Sequence, residues 1–357
     1  MKYAVLVSGG VDSSVALRLV RDQGHQVTAF YIKIWLEDEL SYLGSCPWQE
    51  DLKYVEAVCT QLNVPLEIIS LQREYWDEVV GYALAEVRSG RTPNPDILCN
   101  QRIKFGAFYG AIHSSFDKIA TGHYAAVQEH EGKFFLVRTP DPIKDQTYFL
   151  AMLNQQQLSR ASFPLGAYDK SAVRALAHQF DLPTKLRKDS QGICFLGKLK
   201  FDDFLRHHLG TLSGPLIEIE TGNVVGTHEG FWFYTIGQRK GIGLSGGPWY
   251  VVSKNPQENR VYISKNYYDV NKMRNSFILE KPHWINSKPV LGQKVQVKLR
   301  HGAQLHECTI DEQEGQNFLV NLLHQDQGIA PGQFAVFYEN ELCLGGGVIG
   351  EMGKTKV

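Results

Sequence analysis

Two cysteines and an aspartate carry the most reactive chemistry this sequence offers. Cys99 lies in "GRTPNPDILCNQRIKFG" and Cys194 in "RKDSQGICFLG", both polar stretches punctuated by Gly, Pro or Asp. Cys59 in "YVEAVCTQL" and Cys308 in "HECTI" read instead as small packed hydrophobes, and Cys46 and Cys343 read the same way. A helix starting near Asp96 places that carboxyl and the Cys99 thiol on one face. A helix N-terminus favours the thiolate, and Arg102 and Lys104 add positive charge. Basic residues also flank Cys194. Sulfur transfer needs one thiol to carry the atom and a second to resolve it. A packed cysteine after a proline turn, and an inert loop cysteine, are the bland alternatives for the pair.

A second centre sits at the start of the chain, in "VLVSGGVDSSVALRLV", residues 5 to 20. A strand entering a glycine turn and then a helix offers backbone N–H groups and a helix N-terminus to an anion. Gly9 and Gly10 allow close approach of phosphate, Ser8, Ser13 and Ser14 can donate, and Asp12 can orient the turn or a Mg²⁺ ion. A Ser-capped turn without ligand is the simpler alternative. The lysine of a P-loop is missing. The string resembles the PP-loop, S-G-G-x-D-S, of enzymes that cleave ATP between its α and β phosphates. That resemblance implies that the turn grips departing pyrophosphate while AMP activates a substrate oxygen.

These residues need a scaffold, and the pattern around them supplies one. From residue 3 to about 120, β-rich runs ("YAVLV", "QVTAFYI", "LEIIS", "KIATGHY") alternate with helical patterns, the signature of a parallel sheet with crossover helices. "LPTKLRKDSQGICFLG" is polar and helix-poor and reads as a loop. After residue 210 short strands and turn glycines take over, with "GFWFYTIGQRKGIG" reading as a β-hairpin. A last strand-rich segment from about Phe277 suggests a small barrel or sandwich. The expected fold is therefore α/β: a parallel-sheet domain over 1–200, a mostly-β domain over 201–275 and a β-barrel over 276–357. At 357 residues the chain is long enough for several domains. With 43% hydrophobic and 21% charged residues it reads as an ordinary soluble protein, cytoplasmic by default. No apolar run reaches the ~20 residues of a membrane span. No C-x-x-C pair or His cluster points to a structural metal. The formal net charge of −1 leaves the partner to local distribution. Two acid-poor basic runs, 183–200 and 281–306, raise a polyanion.

The sequence resembles the tRNA-specific 2-thiouridylase family. The stretches "SGGVDSSVAL", "GRTPNPDILCNQRIKFG", "ATGHYA", "KDQTYFL", "RKDSQGICFLG", "FYTIGQRKGIG" and "APGQFAVFY" match in the family's order. They span residues 5 to 338. The resemblance implies an adenine nucleotide alpha hydrolase-like catalytic domain and a tRNA-binding barrel. It implies ATP, with Mg²⁺, held by Leu6, Val7, Ser8, Gly9, Gly10, Val11, Asp12, Ser13, Ile32 and Gly122. Ile32 stands where relatives often carry Met; either gives adenine an apolar surface. Asp96 is implied as acid/base, Cys194 as persulfide carrier and Cys99 as nucleophile. Contacts to tRNA are implied for Asn94, Pro95, Asp96, His123, Lys144, Asp145, Gln146, Arg300, His301 and Gln333. The partners implied are a tRNA anticodon loop and a cysteine desulfurase or sulfur-relay protein that delivers sulfur. Two rivals stay open: a PP-loop amide ligase, disfavoured by the two cysteine motifs, and a non-catalytic tRNA-binding protein.

Overall fold

The computed structural model describes residues 1–34, 47–112, 114–188, 201–267, 269, 274–326 and 328–350. Cys194 and Cys46 lie outside the described residues.

The N-terminal unit is built on five parallel strands: β1 (Lys2–Leu6), β2 (Gln26–Lys33), β3 (Leu66–Ser70), β4 (Lys118–Ala120) and a two-residue strand, Ala161–Ser162. Their order across the sheet is β3-β2-β1-β4 with Ala161–Ser162 last. Because strand side chains alternate, β1 feeds two cores. Tyr3, Val5 and Val7 pack with Val15, Val20, Val55 and Val58 on one face, while Ala4 and Leu6 pack with Phe30, Val79 and Phe108 on the other. Burial on both sides explains the nearly unbroken apolar run of β1. The helix Val11–Asp22 buries the stripe Val11, Val15, Ala16, Leu17 and Val20. The chain moves outward from β1 to β3 and then returns to β4 on the other side of β1. The reversal creates a crevice at the carboxyl ends of β1 and β4, where open α/β sheets bind ligands.

The hairpin β5 (Ala126–His130) and β6 (Lys133–Val137) leaves this sheet altogether. A four-stranded sheet follows, from Gly214–Glu218, Val224–His228, Tyr250–Asn255 and Arg260–Ser264. Within it "FWF" forms a short 3-10 turn, Phe231–Phe233, rather than the expected hairpin, and Phe231 anchors the local core.

The C-terminal strands are Arg274–Trp284, Val295–Lys298, His306–Glu312, Phe318–Asp326, Phe334–Glu339 and Leu342–Ile349. They close on themselves because the first also pairs with the last, through Leu279↔Ile349 and Trp284↔Gly345. Phe277, Val297, Ile310, Val320 and Phe337 fill the barrel. Outside it, β6 adds to the last strand through Val137↔Leu342 and Leu136↔Cys343. The first 200 residues therefore contribute two strands to the sheet of the C-terminal barrel. No described helix is long and apolar enough to cross a membrane.

Candidate active site at the carboxyl ends of the parallel strands

The glycine turn opens from the end of β1. Gly9 takes φ +75°, a conformation that L side chains resist. A Cβ there would also meet the Asp51 carbonyl oxygen at 2.7 Å. No side chain caps the first turn of the following helix, whose N-cap is Gly10. Serine hydroxyls brace the turn from within. Ser13 Oγ donates to the Gly10 carbonyl at 3.1 Å and accepts from the Ser8 amide at 3.2 Å. Ser14 Oγ donates to the same carbonyl at 2.9 Å. Leu6, Val7 and Val11 are buried beneath, and Ile32 stands partly buried near the end of neighbouring β2.

Gly122 follows β4 on the other side of the crevice. A Cβ on it would lie 2.8 Å from both the Asp12 carbonyl carbon and the Ser13 amide nitrogen. Only glycine lets the β4 loop close on the turn, so Gly122→Ala is expected to displace it. A fall in ATP affinity of at least about tenfold, read by calorimetry, is the expected result. Unchanged affinity would show that the contact is dispensable. His123, next in line, accepts or donates at Nδ1 to Thr121 Oγ1 at 2.7 Å. Burial, reinforced by the Lys104 charge, holds its imidazole well below the usual histidine pKa, so it is neutral at pH 7.

Three residues that sequence reasoning missed converge on the turn. Tyr124 donates its hydroxyl to Asp12 Oδ1 at 2.9 Å, and Lys170 Nζ reaches the two Asp12 oxygens at 2.7 and 2.9 Å. Arg187 donates to the Gly9 carbonyl and to Asp51 Oδ1, each at 2.7 Å. Lys170 lies 158 positions from Asp12, and Arg187 lies 178 from Gly9, so no local motif joins them.

The Cys99 segment begins as expected: Asn94 is the N-cap, Pro95 occupies the first turn and Pro95–Leu98 is helical. Pro at this position loses no hydrogen bond. The helix then widens over Cys99–Ala107, the kind of irregularity that often marks functional sites. Asp96 is half-buried three residues before Cys99, consistent with a shared face. The surroundings of Cys99 correct the sequence reading. It is 1% exposed, inside an apolar cluster with Ile97, Leu98, Val79 and Phe108. Of the neighbouring charges, Arg102 donates to Glu78 at 3.0 Å and Lys104 to Asn100 Oδ1 at 3.0 Å.

The barrel holds this segment from outside. Gln333 donates to the carbonyls of Thr92 and Pro93 at 3.0 and 3.2 Å, and Pro331 accepts from the Thr92 amide at 2.8 Å. The Gln333 side-chain amide is therefore directed at the backbone just before Asn94. Tyr148, on the short helix Thr147–Leu150, donates to the Phe334 carbonyl at 3.0 Å. Its neighbour Phe149 stacks on the exposed ring of His301 with centroids 4.7 Å apart.

Asp145 needs a second correction. At 1% exposure it offers nucleic acid no surface; its carboxylate meets Lys298 Nζ at 2.8 Å, Arg138 Nε at 3.3 Å and Thr147 Oγ1 at 2.8 Å. Adjacent Gln146 accepts from the Tyr124 amide at 3.0 Å, and Lys144 is half-buried. Much of the basic run 281–306 is likewise neutralised internally, since Lys298 is fully buried, Lys288 pairs with Glu312 and Arg300 with Asp326. Cys59, Cys308 and Cys343 are buried as read from sequence, with thiol pKa values pushed up by desolvation to about 11, 12 and 12.

Strand order, a glycine turn at the switch point and an appended barrel define a PP-loop α/β protein carrying two β-rich domains. Family models match the chain as a tRNA methyl transferase HUP domain (residues 1–198), a tRNA methyl transferase PRC-barrel domain (202–265) and an aminomethyltransferase beta-barrel domain (274–349). The tRNA-specific 2-thiouridylase of Bacteroides thetaiotaomicron is 44% identical over 98% of this chain and 99% of its own length. That of Parabacteroides distasonis is 45% identical over the same shares. The chain belongs to the tRNA-specific 2-thiouridylase family.

Proposed function

We propose that this protein is the ATP-dependent sulfurtransferase that thiolates the 2-position of the wobble uridine in tRNA anticodons. The observation that carries the reading is full-length likeness to 2-thiouridylases in a chain that keeps the SGG turn, Asp96, Cys99 and Cys194. The methyl transferase wording of two domain models finds less support, because these residues suit nucleotide cleavage and sulfur transfer.

The chemistry follows from what each group can do. The uracil O2 is a poor leaving group. It attacks the α-phosphorus of ATP, pyrophosphate departs from the Ser8–Ser13 turn, and the oxygen becomes part of a good leaving group, AMP. Asp96 handles the base proton. Cys194 carries sulfur as a persulfide whose terminal sulfur attacks C2, and AMP leaves. Cys99 then attacks the Cys194 sulfur, so that the thiocarbonyl is freed and a Cys99–Cys194 disulfide remains. A thiol reductant supplies the two electrons that reset the pair, and a cysteine desulfurase or relay protein reloads the sulfur. Neutral His123 suits a hydrogen bond to a base or ribose better than a phosphate contact. Among the described residues no cluster of three or more His, Cys, Asp or Glu forms a metal cage. Mg²⁺ would arrive on the triphosphate, with Asp12 of the turn to hold it, and neutralise phosphate charge.

The target base must leave its stack, which costs little in an anticodon loop. Exposed His301, stacked on half-buried Phe149, and exposed Arg300 would meet RNA, in a cytoplasmic setting. Nucleoside mass spectrometry of tRNA from cells lacking the protein is expected to show loss of wobble 2-thiouridine. Undiminished 2-thiouridine would refute the function.

A further inference from the structure

We propose that Lys170 and Arg187 bind the β and γ phosphates of ATP at the Ser8–Ser13 turn and remain with them as the departing pyrophosphate. The proposal rests on the ATP-dependent reading above and gives the turn the cations that its own sequence lacks.

Cleaving ATP at the α-phosphorus puts new negative charge on the leaving pyrophosphate, and fixed cations aimed at that charge stabilise the transition state. The turn is poorly equipped for this alone. The nearest basic residues along the chain, Arg18 and Arg21, both pair with Asp22 at the far end of the helix. The hydroxyls of Ser13 and Ser14 are committed to the Gly10 carbonyl. What the turn itself offers is backbone N–H groups and the helix N-terminus.

Lys170 and Arg187 supply the charge from two other elements. Lys170 begins the helix Lys170–Gln179, which packs against the helix of the turn. Its side chain is 16% exposed, and the ammonium lies on Asp12, in the first helical turn beside the glycines. Arg187 comes from the segment after this helix, where its carbonyl accepts from Arg174 at 2.6 Å. Its guanidinium lies over the Tyr54 ring, 4.3 Å from the centroid, and bridges the Gly9 carbonyl to Asp51. The Arg187 NH1 atom would be only 3.0 Å from a Cβ on Gly9, so it touches the innermost residue of the turn.

Asp12 and Asp51 balance the two cations when no anion is bound. An entering polyphosphate adds a stronger acceptor to each. An ammonium has three donors and a guanidinium five, enough to keep the carboxylate while gaining phosphate oxygens. AMP, which lacks the outer phosphates, would touch neither residue.

The test uses the full-length protein with ATP, AMP and inorganic pyrophosphate as calorimetric ligands, alongside tRNA-dependent ATP–pyrophosphate exchange. Lys170→Gln and Arg187→Gln are each expected to weaken ATP and pyrophosphate binding about tenfold or more and to slow exchange. AMP affinity should stay within about twofold of the parent. Lys170→Arg, which keeps the charge opposite Asp12, is expected to recover most of the lost affinity and guards against simple misfolding. An equal loss for ATP and AMP would mean that the two residues only brace the turn, and would overturn the proposal. Unchanged ATP affinity in both Gln variants would overturn it as well. A parent protein that binds no ATP would instead refute the underlying reading.

Discussion

Replacing Cys99 with alanine is expected to abolish tRNA thiolation while tRNA-dependent pyrophosphate release continues. In the proposed sequence Cys99 acts after the base is adenylated, so its loss stops sulfur delivery and spares the first half-reaction. A covalent participant of this kind is worth at least about a thousandfold in turnover. Alanine is the informative replacement because Cys99 sits at 1% exposure among Ile97, Leu98, Val79 and Phe108. Serine would bury a hydroxyl there and confuse a folding defect with a chemical one. Losing the sulfur atom costs about 1 kcal/mol of packing, small enough to leave the fold intact. Thiolation at the parental rate in Cys99→Ala would remove Cys99 from the mechanism.

The second large effect concerns stability. Lys298 and Asp145 are both fully buried and joined at 2.8 Å, and the Lys298 ammonium lies 5.4 Å from the centre of the Tyr338 ring. Lys298→Met leaves the carboxylate out of water beside Arg138, at 3.3 Å. Breaking a buried pair from one side typically costs about 3–5 kcal/mol. The double variant Lys298→Met/Asp145→Asn removes both charges and should recover part of that loss. Urea unfolding of the three proteins measures this directly. A single-variant cost below about 1 kcal/mol would show that Arg138 alone suffices. The pair joins the barrel to the segment that bears Gln146, Tyr148 and Phe149, so its loss should also blunt tRNA binding.

What the sequence revealed divides along one physical line. The Ser8–Ser13 turn and the alternation of strands and helices were legible because they are local: strand, glycines, helix and apolar period lie side by side in the chain. The switch-point crevice followed from them once the strand order was known. Lys170 and Arg187 were illegible because only folding brings them to the turn. Cys99 misled for a related reason. Asp96, Gln101 and Arg102 around it are polar, but a helix sends neighbours to different faces, and Cys99 falls on the inward one with Ile97 and Leu98. The family resemblance implied RNA contacts for Asp145 and Gln333. In the structure one is buried in an ion-pair network and the other clasps the backbone before Asn94. A matched motif identifies residues that matter, not the atoms they touch.

The β5–β6 hairpin bears on how the chain is made. It is synthesised early, yet the strand it joins, Leu342–Ile349, emerges about 200 residues later. At ~5–20 residues per second the wait on the ribosome is roughly 10–40 s. During that interval β6 presents an unpaired edge at Leu136 and Val137, a surface open to wrong partners. Biogenesis of this protein therefore has a window of aggregation that closes only when the last barrel strand leaves the exit tunnel.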